Sequence, residues 1–171
     1  SVRKLKRLAR YLLRYPRGVI LFAPALDGGE GLLEVYADSD WAGCPRTRKS
    51  TSGGMLVVGG GLLKSWSSTQ GPIALSSGEA ELVSLVRAAT EGLALQSLMA
   101  DLGWSRPMRL WTDSAAAKAI ASRDGLGKTR HVETKYLWVQ RAVKHRRFVL
   151  AKVPGKENPA DWLTKPGSAS S

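Results

Sequence analysis

The chain has 171 residues, 43% of them apolar, and 26 Lys and Arg against 14 Asp and Glu give it a formal net charge of +12. That length supports one domain with a substantial core, and the apolar fraction excludes wholesale disorder. The single Cys44 excludes an internal disulfide framework and a zinc cluster, and no apolar run approaches the ~18 residues of a membrane-spanning helix.

Residues 3–14 place Leu5, Leu8, Leu12 and Leu13 on one helical stripe ringed by Arg3, Lys4, Arg7, Arg10 and Arg14. Pro16 and Gly18 end that helix. This basic start lacks the apolar block and cleavage site of a secretory signal, which with the lone cysteine fits an intracellular compartment. GVILFAP at 18–24 reads as a strand or an extended link, with a turn at Asp27, Gly28 and Gly29. Residues 31–38 alternate with period 2, which predicts a strand ending near Asp38. MLVVG at 55–59 and LLKSWSS at 62–68 predict two more strands around a GGG hairpin turn. Trp41, Trp66 and Trp111 lie at strand-like positions and are read as core residues.

Ser76 with Glu79 three residues on is a capping box, predicting a helix to about Leu102 with Gly103 beyond its end. MRLWTD at 108–113 reads as a strand and Ser114 to Ser122 as a short helix. A basic loop then leads to a helix at about 132–145, a strand in RRFVLAKVP and a last short helix opened by Pro159. The order predicts an α/β fold: a mixed sheet of three antiparallel strands, then parallel strands, with helices packed on it.

The positive charge falls in two blocks. Residues 1–26 carry seven Lys or Arg and no acid; residues 128–156 carry nine with only Glu133 in opposition. Such blocks fit a polyanion, or two solvated faces. Against this background four acids stand at strand ends and helix starts: Asp38, Glu81, Asp113 and Asp161. Strand ends of an open α/β sheet and helix starts can converge at one edge. Clustered carboxylates repel unless cations join them, and magnesium takes oxygen ligands. Two such ions can activate water for phosphodiester cleavage. Each acid also has a plain alternative: a turn for Asp38, a helix cap for Asp113, a dipole-favoured acid for Asp161, a solvated helix residue for Glu81. Asp40 and Glu79 compete for the roles of Asp38 and Glu81, although the capping box gives Glu79 a local task.

The stretches YADSDWAG at 36–43, RKSTSGG at 48–54, SWSS at 65–68, ALSSGEAEL at 74–82, WTDSAAAKAI at 111–120, TRHVETKY at 129–136 and VPGKENPADWLTKP at 153–166 together resemble the ribonuclease H domain of copia-type LTR retrotransposon polyproteins. KLKRLARYLLRYPRGVILF resembles the helix after the reverse transcriptase connection in such polyproteins. The resemblance implies a ribonuclease H-like fold over 27–166, preceded by a basic helix and linker at 1–26 from the reverse transcriptase side and followed by a flexible tail at 167–171. It implies cleavage of the RNA strand of RNA/DNA hybrids, with Asp38, Glu81, Asp113 and Asp161 as catalytic residues holding two Mg²⁺ ions, for which Mn²⁺ can substitute. A connection-type domain that binds template–primer without cutting is the alternative. The implied partners are the hybrid and the reverse transcriptase domain of the same polyprotein, with no membrane. As an isolated domain the chain is expected to be a monomer, in the cytoplasm or a virus-like particle.

Chemistry supplies the candidate substrate contacts. Ser50, Thr51, Ser52, Ser76, Ser77 and Ser114 can meet phosphates or 2′-hydroxyls, and Arg48, Lys49, Lys128 and Arg130 can meet phosphates. His131 is either a substrate contact or a structural group. Two departures stand out. The loop VPGKEN lacks the His that cellular type 1 enzymes carry before the last Asp, leaving Lys156 and Glu157 as candidates to assist product release. Ala115 stands where many relatives have a polar residue.

Overall fold

The computed structural model describes residues 2–19, 31–125 and 136–165. Within these, α1 (Val2–Arg14) is followed by β1 (Leu33–Ser39), β2 (Thr51–Val58), β3 (Gly61–Thr69), α2 (Ser77–Asp101), β4 (Met108–Thr112), α3 (Ala115–Ser122), α4 (Trp138–Lys144) and β5 (Val149–Lys152). Two 3₁₀ turns close the described chain, Gly155–Glu157 and Pro159–Leu163. The five strands form one sheet in the order β3-β2-β1-β4-β5. The pairs β1–β2 and β2–β3 are antiparallel, and β4 and β5 run parallel to β1. This is the mixed α/β sheet that the sequence predicts.

Local rules account for most elements. The β2–β3 hairpin turns at Gly59 and Gly60, both at positive φ, 55° and 77°. Ser76 caps α2 by accepting from Glu79 N–H at 3.2 Å, and the Glu79 carboxylate accepts from Leu75 N–H at 2.7 Å. Ser114 caps α3 in the same way, through Ala117 N–H at 3.1 Å. Asn158 caps the last turn by accepting from Ala160 N–H, with Pro159 in its first position.

The core lies where α2 crosses the sheet. Leu33, Val35 and Ala37 of β1 and Met108 and Leu110 of β4 pack with Leu82, Leu85, Val86, Ala88 and Ala89 of α2. Ile120 of α3, Val139 of α4 and Phe148 extend the cluster. Each fully buried Leu contributes roughly 1.5–3 kcal/mol. Alternate burial in β1 gives way to three successive buried residues, Ala37, Asp38 and Ser39, at its end. The second 3₁₀ turn packs on β1 and β2 at that end. Asn158 fastens it by donating from Nδ2 to Ala37 O at 3.0 Å.

That packing explains Gly53. It pairs with Asp38 across the sheet. A Cβ there would lie 2.8 Å from Thr164 Cγ2, 2.9 Å from Leu163 Cβ and 3.0 Å from Ala160 O. Gly53→Ala is therefore expected to cost about 2 kcal/mol by overpacking, read as a lower urea midpoint. A loss under about 0.5 kcal/mol would mean that the turn lifts freely from the sheet.

Several expectations need correction. Strand β2 begins at Thr51, four residues before its apolar stretch, because polar residues 51–54 continue the pairing with β1 and β3. The last helix is a 3₁₀ turn. The helix expected at 132–145 is seen as α4 from Trp138; residues 132–135 lie outside the described ones, as do the turn at Asp27 and residues 20–26. Trp66 is buried and Trp111 half-buried, stacked on Tyr36 with ring centroids 6.2 Å apart. Trp41 is not a core residue: it is 55% exposed, and its indole N–H donates to Ala74 O at 3.2 Å. No residue of α1 is buried, so Leu5, Leu8, Leu12 and Leu13 face outward. Among the described residues no helix is long and apolar enough to cross a membrane.

Candidate metal centre

Parallel pairing of β1 with β4 sets Ala37 opposite Thr112. Asp38 and Asp113 are the next residues on each strand, so they leave the sheet side by side at its C-terminal edge. Glu81 reaches the same place from the second turn of α2. One carboxylate oxygen from each of Asp38, Glu81 and Asp113 lies within 4.8 Å of the others.

The surroundings fix and strain this cluster. Asp38 is 3% exposed. Its Oδ2 accepts from the Thr164 hydroxyl, and its main-chain oxygen accepts from Ser84 Oγ at 2.6 Å. Burial raises the Asp38 pKa, the Thr164 hydrogen bond opposes the rise, and Asp113 and Asp161 add to it. Glu81 is pushed up to about 8, first by burial and then by the charges of Asp38 and Asp113. The Ser39 backbone N–H and the charge of Lys165 oppose that rise. Glu81 Oε2 is buried without a hydrogen-bond partner. A buried carboxylate with an orphaned oxygen, grouped with two more carboxylates, suits a hard divalent cation. The residues therefore fit such an ion, which Asp38, Glu81 and Asp113 could hold.

Asp161 is not in the group of three. It is half-buried in the second 3₁₀ turn and ion-paired to Lys165, yet close enough to act on Asp38. The competing acids are engaged elsewhere: Asp40 accepts from Thr51 N–H, and Glu79 closes the α2 cap. The alternative of Asp113 as a helix cap also falls, since Ser114 does that work.

The expected substrate contacts divide. Ser50 and Ser52 are 0% and 2% exposed. Ser50 Oγ accepts from Ala42 N–H at 3.0 Å, and Ser52 Oγ accepts from Gln70 Nε2 at 2.9 Å. Neither presents its hydroxyl to solvent in this structure: Ser50 braces the β1–β2 loop and Ser52 ties β2 to Gln70. Ser76 and Ser77 are exposed, Thr51 and Ser114 half-buried, Arg48 exposed and Lys49 half-buried. Lys128, Arg130 and His131 lie outside the described residues. Lys156 and Glu157 are exposed in the first 3₁₀ turn. Gly155 of that turn runs beside Asp113, whose Oδ2 is 3.1 Å from where a Cβ would stand.

Sequence reasoning missed three residues. Buried Gln70 ties together Ser39, Ser52 and the Ala80 carbonyl through Nε2. Thr164 holds Asp38, and Lys165 pairs with Asp161. Only the last was legible, as an acid followed four residues on by a lysine in a helical turn.

No protein-family model matches the chain. It is 30% identical over 158 residues to the retrovirus-related Pol polyprotein from transposon TNT 1-94 of Nicotiana tabacum, covering 91% of this chain and 12% of the polyprotein. It is likewise 30% identical over 166 residues to that from transposon RE1 of Arabidopsis thaliana, covering 95% of this chain and 11% of the polyprotein. The chain is a homologue of the retrovirus-related Pol polyproteins. It spans only about a tenth of the length of these relatives. Among solved structures it resembles LC11-RNase H1, isolated from compost, with a TM-score of 0.53 at 19% identity, covering 77% of this chain and 91% of that one. The structure of LC11-RNase H1 in complex with an RNA/DNA hybrid gives a TM-score of 0.50 at 17% identity, covering 77% and 92%. The fold of this Pol homologue is thus the ribonuclease H fold.

Proposed function

We propose that this Pol homologue is a ribonuclease H that hydrolyses the RNA strand of RNA/DNA hybrids, using divalent ions held by Asp38, Glu81, Asp113 and Asp161. The observation that carries the proposal is the convergence of three carboxylates within 4.8 Å of one another, one of them Glu81, whose Oε2 is buried without a hydrogen-bond partner. When bound, magnesium, or manganese in its place, supplies an activated water and neutralises charge at the scissile phosphate. Asp38, locked by Thr164, gives the cluster its rigid member; Glu81 and Asp113 approach it from α2 and β4. Arg48 and Lys49 stand on the loop between β1 and β2 and are suited to phosphates. Ser76 and Ser77 at the start of α2 are suited to 2′-hydroxyls. The Pol relatives and the hybrid-bound LC11-RNase H1 support this substrate, and the reverse transcriptase of the same polyprotein is the proposed neighbour in an intracellular particle.

The test is cleavage of an end-labelled RNA/DNA hybrid beside matched double-stranded RNA and DNA. The expected result is metal-dependent cutting of the hybrid's RNA strand alone, leaving 5′-phosphate and 3′-hydroxyl ends. Binding without cutting in either metal would make the chain a connection-type binder instead. The same assay ranks the glutamates. Glu81→Gln is expected to lower the rate at least a hundredfold, about 2.7 kcal/mol. Glu79→Gln should cost only about 0.5–1 kcal/mol of stability and change the rate less than about threefold. The reverse ranking would remove Glu81 from the centre.

A further inference from the structure

The second basic block of the sequence forms a surface that the carboxylate centre does not use. Helix α4 buries Val139, Gln140 and Ala142. Trp138, Arg141 and His145 are spaced three and four residues apart, so they share its outer face, and all three are exposed. Two concavities share these three residues as a wall. One runs on to Leu93 of α2 and to Arg147, the other to Asp124 and Lys144. The turn after α4 adds exposed Arg146. Among the described residues Lys144 alone of these cations has an ion-pair partner, Asp124 at 2.8 Å.

This wall ends at the edge of the sheet opposite the carboxylates. Arg109 pairs with Val149 and Thr112 with Lys152 in parallel register. Residues 145–147 therefore lie where β4 and β5 begin, and Asp113 lies where β4 ends. Leu93 stands about 18 Å down α2 from Glu81. Cations in the last turn of a helix are favoured by its dipole, which accounts for Arg141 and Lys144. It does not account for Arg146 and Arg147 beyond the helix, nor for an indole 36% exposed beside them. Arg146 stands at φ 52°, a place in a helix stop that glycine fills with less strain. The chain bears that strain and gains a charge.

An indole face bordered by cations matches a nucleotide whose base is uncovered. In a duplex the bases cover one another, so only an unpaired strand can lay a base on Trp138. We propose that this wall binds single-stranded nucleic acid, the unpaired extension of a polynucleotide held at the carboxylates. A base stacks on Trp138, and Arg141, Arg146 and Arg147 take the phosphates. The source of the strand rests on the hybrid reading above; the binding surface does not.

The experiment is fluorescence anisotropy of the whole chain in EDTA, with folding checked by circular dichroism. The ligands are a blunt RNA/DNA hybrid, the same hybrid with an unpaired extension of about 12 nucleotides at either end, and the free strand. Wild type is expected to bind one extended hybrid at least tenfold more tightly than the blunt one. Trp138→Ala should lose at least fivefold of that gain with no change in salt slope, and Trp138→Phe should keep most of it. Arg141→Gln, Arg146→Gly and Arg147→Gln should each flatten the salt slope for the extended hybrid by about 0.7. Arg146→Gly removes charge without backbone strain, so its stability should hold or rise. Every variant should bind the blunt hybrid within twofold of wild type. No gain from either extension, a gain that survives Trp138→Ala, or equal losses on blunt and extended hybrids, which a diffuse charge effect produces, would each overturn the proposal. A free strand bound through Trp138 while the blunt hybrid is not bound would keep this surface and remove the function proposed above.

Discussion

Asp38→Asn is expected to abolish hybrid cleavage, by at least a thousandfold or about 4 kcal/mol of transition-state stabilisation, while hybrid binding stays within about threefold. Asp38 is the most buried member of the cluster and the one held by a neutral donor, Thr164. Asparagine keeps its shape and can still accept that hydrogen bond, so the turn should stay in place. What disappears is the negative charge that a hard cation needs. The same charge helps to raise Glu81, so its removal relieves repulsion, and the metal-free variant should be as stable as wild type or slightly more so. Affinity for the hybrid comes mainly from phosphate contacts away from the carboxylates and should persist. Single-turnover cleavage, fluorescence anisotropy and urea unfolding in EDTA measure the three quantities. Cleavage within tenfold of wild type would remove Asp38 from the chemistry, and a large loss of stability would make its role structural.

The second large effect is on stability against pH in the absence of metal. Glu81 titrates near 4.5 in an unconstrained chain and is pushed up to about 8 in the fold, with Asp38 raised in the same direction. Below about pH 4.5 both states carry the Glu81 proton, so no charge is buried there and stability does not depend on pH through this group. Between there and about pH 8 the unfolded chain releases the proton while the folded protein keeps it. The folded state then binds more protons, and stability falls as pH rises. With the cluster partly solvated, the loss from pH 5 to 8.5 in EDTA is expected to be about 3 kcal/mol. That corresponds to roughly 6–12 °C in melting temperature for a chain of this size. Saturating Mg²⁺ should erase most of it by compensating the ionised carboxylates, with release of a proton on binding near neutral pH. Glu81→Gln should flatten the metal-free profile. A flat wild-type profile in EDTA would show that Glu81 ionises freely, without the burial and crowding that define the centre.

The sequence by itself determined what depends on neighbours within about four residues. Ser76 and Glu79 marked the start of α2, Gly59 and Gly60 the hairpin, the alternation of Leu33, Val35 and Ala37 the first strand, and Pro159 the last turn. Each works through hydrogen bonds, φ angles or side-chain periods that the local chain sets alone. The copia-type motifs named the four acids, because those residue types stand in family order. Only the tertiary structure decided how the acids meet. The register of β1 on β4 brings Asp38 and Asp113 together, while Asp161, ion-paired to Lys165, lies outside their group. Thr164 reaches Asp38 across 126 residues and Asn158 reaches Ala37 across 121; nothing in the local pattern of either residue announces its partner. Ser50 and Ser52 read as polar loop residues, yet burial under Ala42 and Gln70 turns them inward. Trp41 and Trp66 read alike, yet one is exposed and the other lies across Gly54. A side chain's exposure depends on which distant segment covers it, and that is fixed by strand order and packing rather than by the spacing of residues along the chain.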